Sequence, residues 1–226
     1  MIGALLPLSL LGAVLGLDTV SFPQAMLSRP LVAATLGGAL VGSPVGGLLV
    51  GATLELIALE TLPFGASRYP EWGSASVVGG ALYGSSPLPA AGALTLALLA
   101  ALATAWIGGW TMVRLRQRNG RSAARAQQAL NAGARGTVIG LQLRGMTNDL
   151  IRGAILTALA VLAFAPLNEA SLAVWTVDAR VSRAVAVGTA LSVAIAASWK
   201  LFHGSVTARW MFPVGLVIGI AITALA

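Results

Sequence analysis

Two carboxylates, Glu55 and Glu60, sit in the apolar stretch Gly46 to Trp72, with Arg68 and Glu71 just beyond. An ionised group at bilayer depth costs at least about 2.5–3.5 kcal/mol on insertion scales, so it usually faces protein and does something. Glu55 and Glu60 are five apart, which on a helix sets them about 140° apart, so they are not a pair on one face. Glu60 lies close to Pro63 and Gly65, where a helix should end, and reads equally as an interfacial residue reaching water. Glu55, between "GATL" and "LIAL", has no easy exit. A carboxylate accepts two hydroxyl hydrogen bonds in a fixed geometry, which suits a sugar. It equally suits a proton or a sodium ion, and a structural hydrogen bond to a broken helix end is the bland alternative. This chemistry does not choose among them.

Composition sets the medium. Of 226 residues, 57% are hydrophobic and only 9% charged, against about 25% charged in soluble domains. A membrane is the natural solvent, and the fold class expected is all-α, a single polytopic membrane domain. The absence of cysteine excludes disulfides, thiolate metal sites and a cysteine nucleophile, and one histidine, His203, excludes a histidine-rich metal site. No cofactor is expected. No nucleophile or acid–base constellation is visible, which argues against an enzyme. His203 lies in a short loop, "WKLFHGSVTAR", and reads as a solvated histidine rather than a phosphorylated one.

The chain divides into two halves. Residues 1–17 predict a first helix kept in the mature chain, without a basic leader or cleavage site. Residues 1–89 hold eight of the ten prolines, and their apolar runs, 31–42, 45–62 and 77–84, are short. Such interruptions predict broken or re-entrant hairpins, which survive only where protein or a wet cavity satisfies the freed backbone and which point to a transporter binding site; tilted helices joined by surface loops are the bland alternative. Gly38, Gly42 and Gly46, with Gly47 and Gly51, form a ladder suited to close helix approach around Pro44. Residues 88–113 predict one long spanning helix, followed by a basic segment at 114–150 and three more spans at 151–167, 182–199 and 210–226.

Eight of the fourteen basic residues lie between Arg114 and Arg152, with Asp149 as the one acid. The positive-inside rule puts this segment in the cytoplasm. Arg114, Arg118, Arg121 and Arg125 fall within about 60° on a helix, a basic stripe whose default partner is lipid phosphate. An acidic face on a cytoplasmic protein is the sharper alternative, and no nucleic-acid motif accompanies the charge. Asp149 and Arg152, three apart, can pair at the start of the next helix.

The stretch "LDTVSFPQAMLSRPLVAATLGGALVGSPVGGLLVGATLELIAL" resembles the N-terminal signature of IIC subunits of mannose-type sugar phosphotransferase systems (mannose, fructose, sorbose, N-acetylgalactosamine). The matching elements are Leu17-Asp18, Gln24, Ser28 to Val32, Gly42 with Pro44 and Gly46-Gly47, and Gly51 to Leu56. "PFGAS…PEWGSAS" and "NDLIRGAILT" resemble two further family segments. Departures are Glu60 for a common Gly, Pro63 for a polar or β-branched residue, and Glu71 for an Asp after Pro70. The family pattern extends one spanning segment beyond Ala226.

The resemblance implies a bacterial inner-membrane, multi-pass subunit that pairs with a IID membrane subunit and moves sugar by an elevator-like displacement. It implies a cytoplasmic IIB protein, charged by IIA, that phosphorylates the arriving sugar, and homo-oligomers of IIC–IID units. On this resemblance Glu55, Thr53, Glu60, Ser67, Glu71, Asp18 and Gln24 would meet the substrate. Arg29, Pro30, Gly42, Gly46, Gly47 and Gly51 would shape the hairpin. Asp18 and Arg29 at its base could form a buried pair, with an interfacial arginine on lipid phosphate as the alternative. A cation- or proton-coupled permease and a non-transporting scaffold are the other readings.

Overall fold

A computed structural model describes residues 2–19, 21–59, 68–86, 92–174 and 178–225. After a short 3-10 turn come α1 (Leu5–Asp18), α2 (Pro30–Ala39), α3 (Pro44–Ala58) and α4 (Trp72–Gly84). Then follow α5 (Ala93–Arg125), α6 (Gln127–Asn131), α7 (Arg135–Val174), α8 (Ala179–Leu201) and α9 (Val206–Leu225). The described residues hold no strand.

The first four helices are short because the sequence stops them. Pro30 and Pro44 each open a helix at its first position, where the missing N–H costs nothing. Between them Gly42 takes φ +88°, a left-handed turn that admits glycine freely. The Ser43 N–H then donates to the Gly38 carbonyl at 2.8 Å, closing the end of α2. At 1.5 Å per residue α2 is ~15 Å long and α3 ~22 Å, against ~30 Å of bilayer hydrocarbon. The interruption read at Ser43-Pro44 is a real break between helices.

Small residues let these helices touch. A Cβ on Gly51 would lie 2.8 Å from the Pro30 carbonyl oxygen, and one on Gly37 would lie 2.5 Å from the Val77 carbonyl oxygen. Gly47 and Gly80 both pack directly on the Ala34 backbone. The result is a centre built on α4, whose residues from Trp72 to Tyr83 are all buried, with α1, α2, α3, α5 and α7 packed around it. Leu8, Leu15, Val50, Leu54, Val77, Val78, Leu94 and Val161 fill the spaces between. Between helices in lipid such contacts act through close van der Waals packing rather than through removal from water.

The long helices differ from the predicted spans. The predicted 88–113 helix runs on to Arg125 as α5, and the 151–167 helix is the second part of α7, which passes through Pro166 to Val174. The segment 114–150 is therefore the end of α5, the short α6 and the start of α7, with Gly133 at φ +71° in the turn. Its Arg, Gln, Leu and Ala content favours helix, and one glycine at position 120, about 1 kcal/mol less favourable than Ala, does not break it. Among the described residues α5, α7 and α8 are long and apolar enough to cross a membrane. α8 lies against α3 and α5, α9 lies against α8, and Ser182 is the residue α8 buries. Thr95 and Thr189 hydroxyls, 2.9 Å apart, tie α5 to α8.

Candidate functional site

The first polar constellation forms where α1 ends and α2 begins. Asp18, 1% exposed, closes α1 and turns its carboxylate onto the following loop. Oδ1 accepts from the Ala25 N–H at 2.7 Å and Oδ2 from the Ser28 N–H at 2.8 Å. Gln24 and Met26 both adopt φ +60°, a left-handed backbone that is uncommon for non-glycine residues. The wrapped loop delivers Arg29 to the N-cap position of α2, ahead of Pro30.

Arg29 then reaches across to α3, where its guanidinium donates to Glu55 Oε1. The other oxygen, Oε2, accepts from the Leu31 N–H at 3.1 Å. One carboxylate thus pairs with a cation and also satisfies a free N–H at the start of α2, where the helix dipole favours negative charge. The pair is partly open, with 32% of the Arg29 side chain and 21% of Glu55 exposed.

Two expectations change here. Asp18 and Arg29 do not pair with each other, because backbone donors of the wrapped loop occupy both Asp18 oxygens and Glu55 takes the arginine. Glu55 is not isolated at depth: it stands three residues before the end of α3, bound to a broken helix end. Thr53 is buried and donates its hydroxyl to the Leu49 carbonyl at 2.8 Å. Gln24 is exposed on the wrapped loop. Glu60 and Ser67 lie outside the described residues, as does Pro63.

A second constellation joins α1, α4, α5 and α7. Glu71, fully buried, is the N-cap of α4: Oε1 accepts from the Ser74 N–H at 3.1 Å, and its own N–H donates to the Ala105 carbonyl at 3.0 Å. Asp149 and Arg152 pair at 2.9 Å, as their spacing predicts. The Ser21 hydroxyl donates to Asp149 Oδ2 at 3.0 Å, linking the α1–α2 loop to α7. Glu71, Arg152 and the Ser74 hydroxyl converge on Gly16: a Cβ there would lie 3.2 Å from Ser74 Oγ, 3.4 Å from Arg152 Nη2 and 3.5 Å from Glu71 Oε1. Nearby, the Arg116 guanidinium lies over the Tyr69 ring at 4.7 Å and donates to its hydroxyl. Ser21, Tyr69, Ser74 and Arg116 escaped the sequence reading. Their only signal was proximity in sequence to Asp18, Glu71 and the arginine stripe.

The remaining candidates are scaffold or surface. Gly46, Gly47 and Gly51 line the α3 face against α2 and α4. His203 is exposed in the α8–α9 turn, with Nδ1 3.0 Å from the Lys200 carbonyl oxygen. No group of three or more His, Cys, Asp or Glu suited to a metal ion occurs among the described residues.

Comparison with known proteins fits this architecture. The profile of the family "PTS system sorbose-specific IIC component" (EII-Sor) matches residues 2–166, which takes in both polar constellations. A solved structure described as a membrane protein superposes with a TM-score of 0.68 at 19% identity, covering 100% of this chain and 92% of the other. The mannose transporter ManYZ, seen by cryo-electron microscopy in complex with microcin E492, gives a TM-score of 0.61 at 18% identity, covering 100% of this chain and 88% of the other. No curated protein sequence matches. The extent of the profile match decides the family: the chain belongs to the EII-Sor family of IIC components, membrane subunits of sugar phosphotransferase systems.

Proposed function

We propose that the chain is the sugar-translocating IIC subunit of a phosphoenolpyruvate-dependent phosphotransferase system in a bacterial inner membrane. It pairs with a IID-like membrane subunit, in homo-oligomers of such units, and presents sugar to a cytoplasmic IIB protein charged by IIA. Family membership supports this, and so does fold likeness to a structure named as a mannose transporter. The chain itself carries no catalytic step; its work is binding, movement and release.

The observation that carries the reading is the partly open Arg29–Glu55 pair at the start of α2. A carboxylate and a guanidinium side by side offer acceptors and donors together, the complement of adjacent sugar hydroxyls. Gln24 on the wrapped loop, with Glu60 and Ser67 further along the chain, would complete the contacts. Asp18, Glu71 and Thr53 would act behind them, holding the loop, α4 and α3 in place. The α2–α3 hairpin, too short to cross, would be re-entrant and would move with the sugar.

A cation-coupled permease is the weaker reading, for a physical reason. Arg29 already supplies the positive charge that a bound ion would bring to Glu55.

Co-expression with a IID-like chain, IIA and IIB, followed by uptake of mannose, fructose, sorbose and N-acetylgalactosamine, tests the proposal. Uptake of one of them that requires phosphoenolpyruvate supports it. Uptake driven by a pH or sodium gradient without phosphoenolpyruvate contradicts it.

A further inference from the structure

A cavity of about 560 Å³ opens between the second half of α5 and the first half of α7, and neither Arg29 nor Glu55 lines it. Its polar lining includes Arg116, Asn119, Gln142, Arg144, Asp149 and Ser21. The volume falls within the range of small-molecule sites, about 300–1,000 Å³.

The lining has a definite chemistry. The Asp149 charge is offset by its ion pair with Arg152, and its other oxygen accepts from the Ser21 hydroxyl. Arg116 is held in place by stacking on Tyr69. Arg144 is exposed on α7. From Arg114 to Asn148 the chain has seven arginines and no acid, so the field at the cavity is positive. Guanidinium groups bind phosphate oxygens with a bidentate fork. Asn119 and Gln142 add amides that donate and accept, the pattern that hydroxyl groups require.

We propose that this cavity binds a phosphorylated polyol, with Arg144 and Arg116 on the phosphate and Asn119 and Gln142 on the hydroxyls. That chemistry has two sources: a soluble hexose phosphate, or the glycerophosphate headgroup of an anionic lipid. The site stands on the cavity and its lining and does not depend on how Glu55 is used.

The test uses the full chain in nanodiscs. Mannose 6-phosphate is titrated calorimetrically in neutral phosphatidylcholine discs, and retention of phosphatidylglycerol from mixed discs is read by native mass spectrometry. Arg144→Gln and Gln142→Leu change exposed positions, so both variants should fold, which their melting curves verify. Arg135→Gln, an exposed arginine outside both the cavity lining and the Arg114–Arg125 stripe, serves as control. The expected result is binding of one probe, weakened about tenfold or more by Arg144→Gln, weakened about threefold by Gln142→Leu, and unchanged in Arg135→Gln. Loss confined to mannose 6-phosphate assigns a soluble ligand; loss confined to phosphatidylglycerol assigns a lipid headgroup. Binding of neither probe, or equal weakening by Arg135→Gln and Arg144→Gln, overturns the proposal.

Discussion

Arg29 and Glu55, 26 residues apart in the chain, meet where α2 begins, and the same carboxylate that holds the arginine also accepts from the Leu31 N–H. Both ends of the interaction depend on Pro30, which starts α2 at that point and leaves Arg29 at its cap. The pair therefore binds the two arms of the hairpin while still offering polar atoms outward.

Removing one member of this pair strands the other. Glu55→Gln and Arg29→Gln should each lower stability by about 1–3 kcal/mol, measured by thermal unfolding in detergent. The double variant should lose less than the sum of the two, because neither charge is then left alone. Strict additivity would show that the two side chains act independently.

The glycine contacts predict position-specific costs. Gly51→Val drives a side chain into the Pro30 carbonyl and should cost about 1–3 kcal/mol or block assembly. Gly188→Ala, on α8 with nothing within 4 Å of the new Cβ, should be neutral or add up to about 1 kcal/mol. Equal melting temperatures for the two variants would contradict the close packing of α2 and α3.

Gly73 and Glu71 give a second structural test. Gly73→Ala drives a methyl group to 2.5 Å from the Leu15 carbonyl oxygen and 3.1 Å from Glu71 Oε1. It should destabilise by about 1–3 kcal/mol. Glu71→Ala removes the α4 cap in a fully buried site and should cost at least about 1–2 kcal/mol. Wild-type melting in both variants would remove this cluster from the account of stability.

Much of this was legible from residue order. Pro30, Pro44 and the glycine ladder announced short helices in close contact, because proline fixes where a helix starts and glycine marks where backbones touch. The Asp149–Arg152 pair followed from helical spacing. The partner of Arg29 did not. Asp18 and Glu55 are both carboxylates within reach of a hairpin base, and the choice rests on Ala25 and Ser28 N–H groups turned inward by the left-handed backbone at Gln24 and Met26. No local pattern displays that. The lengths of α5 and α7 were missed for another reason: hydropathy reports where a helix leaves an apolar medium, not where its hydrogen bonding ends.

Trp106 and Trp110, 65% and 48% exposed, carry Arg68 and Arg114 over their rings at 4.6 and 4.8 Å. This suits an interfacial aromatic belt. In single-tryptophan variants, lipids brominated near the headgroup should quench both more strongly than lipids brominated near the chain end. The opposite order would place this part of α5 at mid-bilayer and displace the arginine stripe with it.

Sugar binding by the assembled complex, compared between the wild type and Glu55→Gln, tests the central claim most directly. Equilibrium binding of the transported hexose to purified IIC–IID should fall at least tenfold in the variant, with the two subunits still copurifying in equal amounts. Unchanged affinity in an intact Glu55→Gln complex would show that the carboxylate holding Arg29 and the start of α2 plays no part in binding sugar.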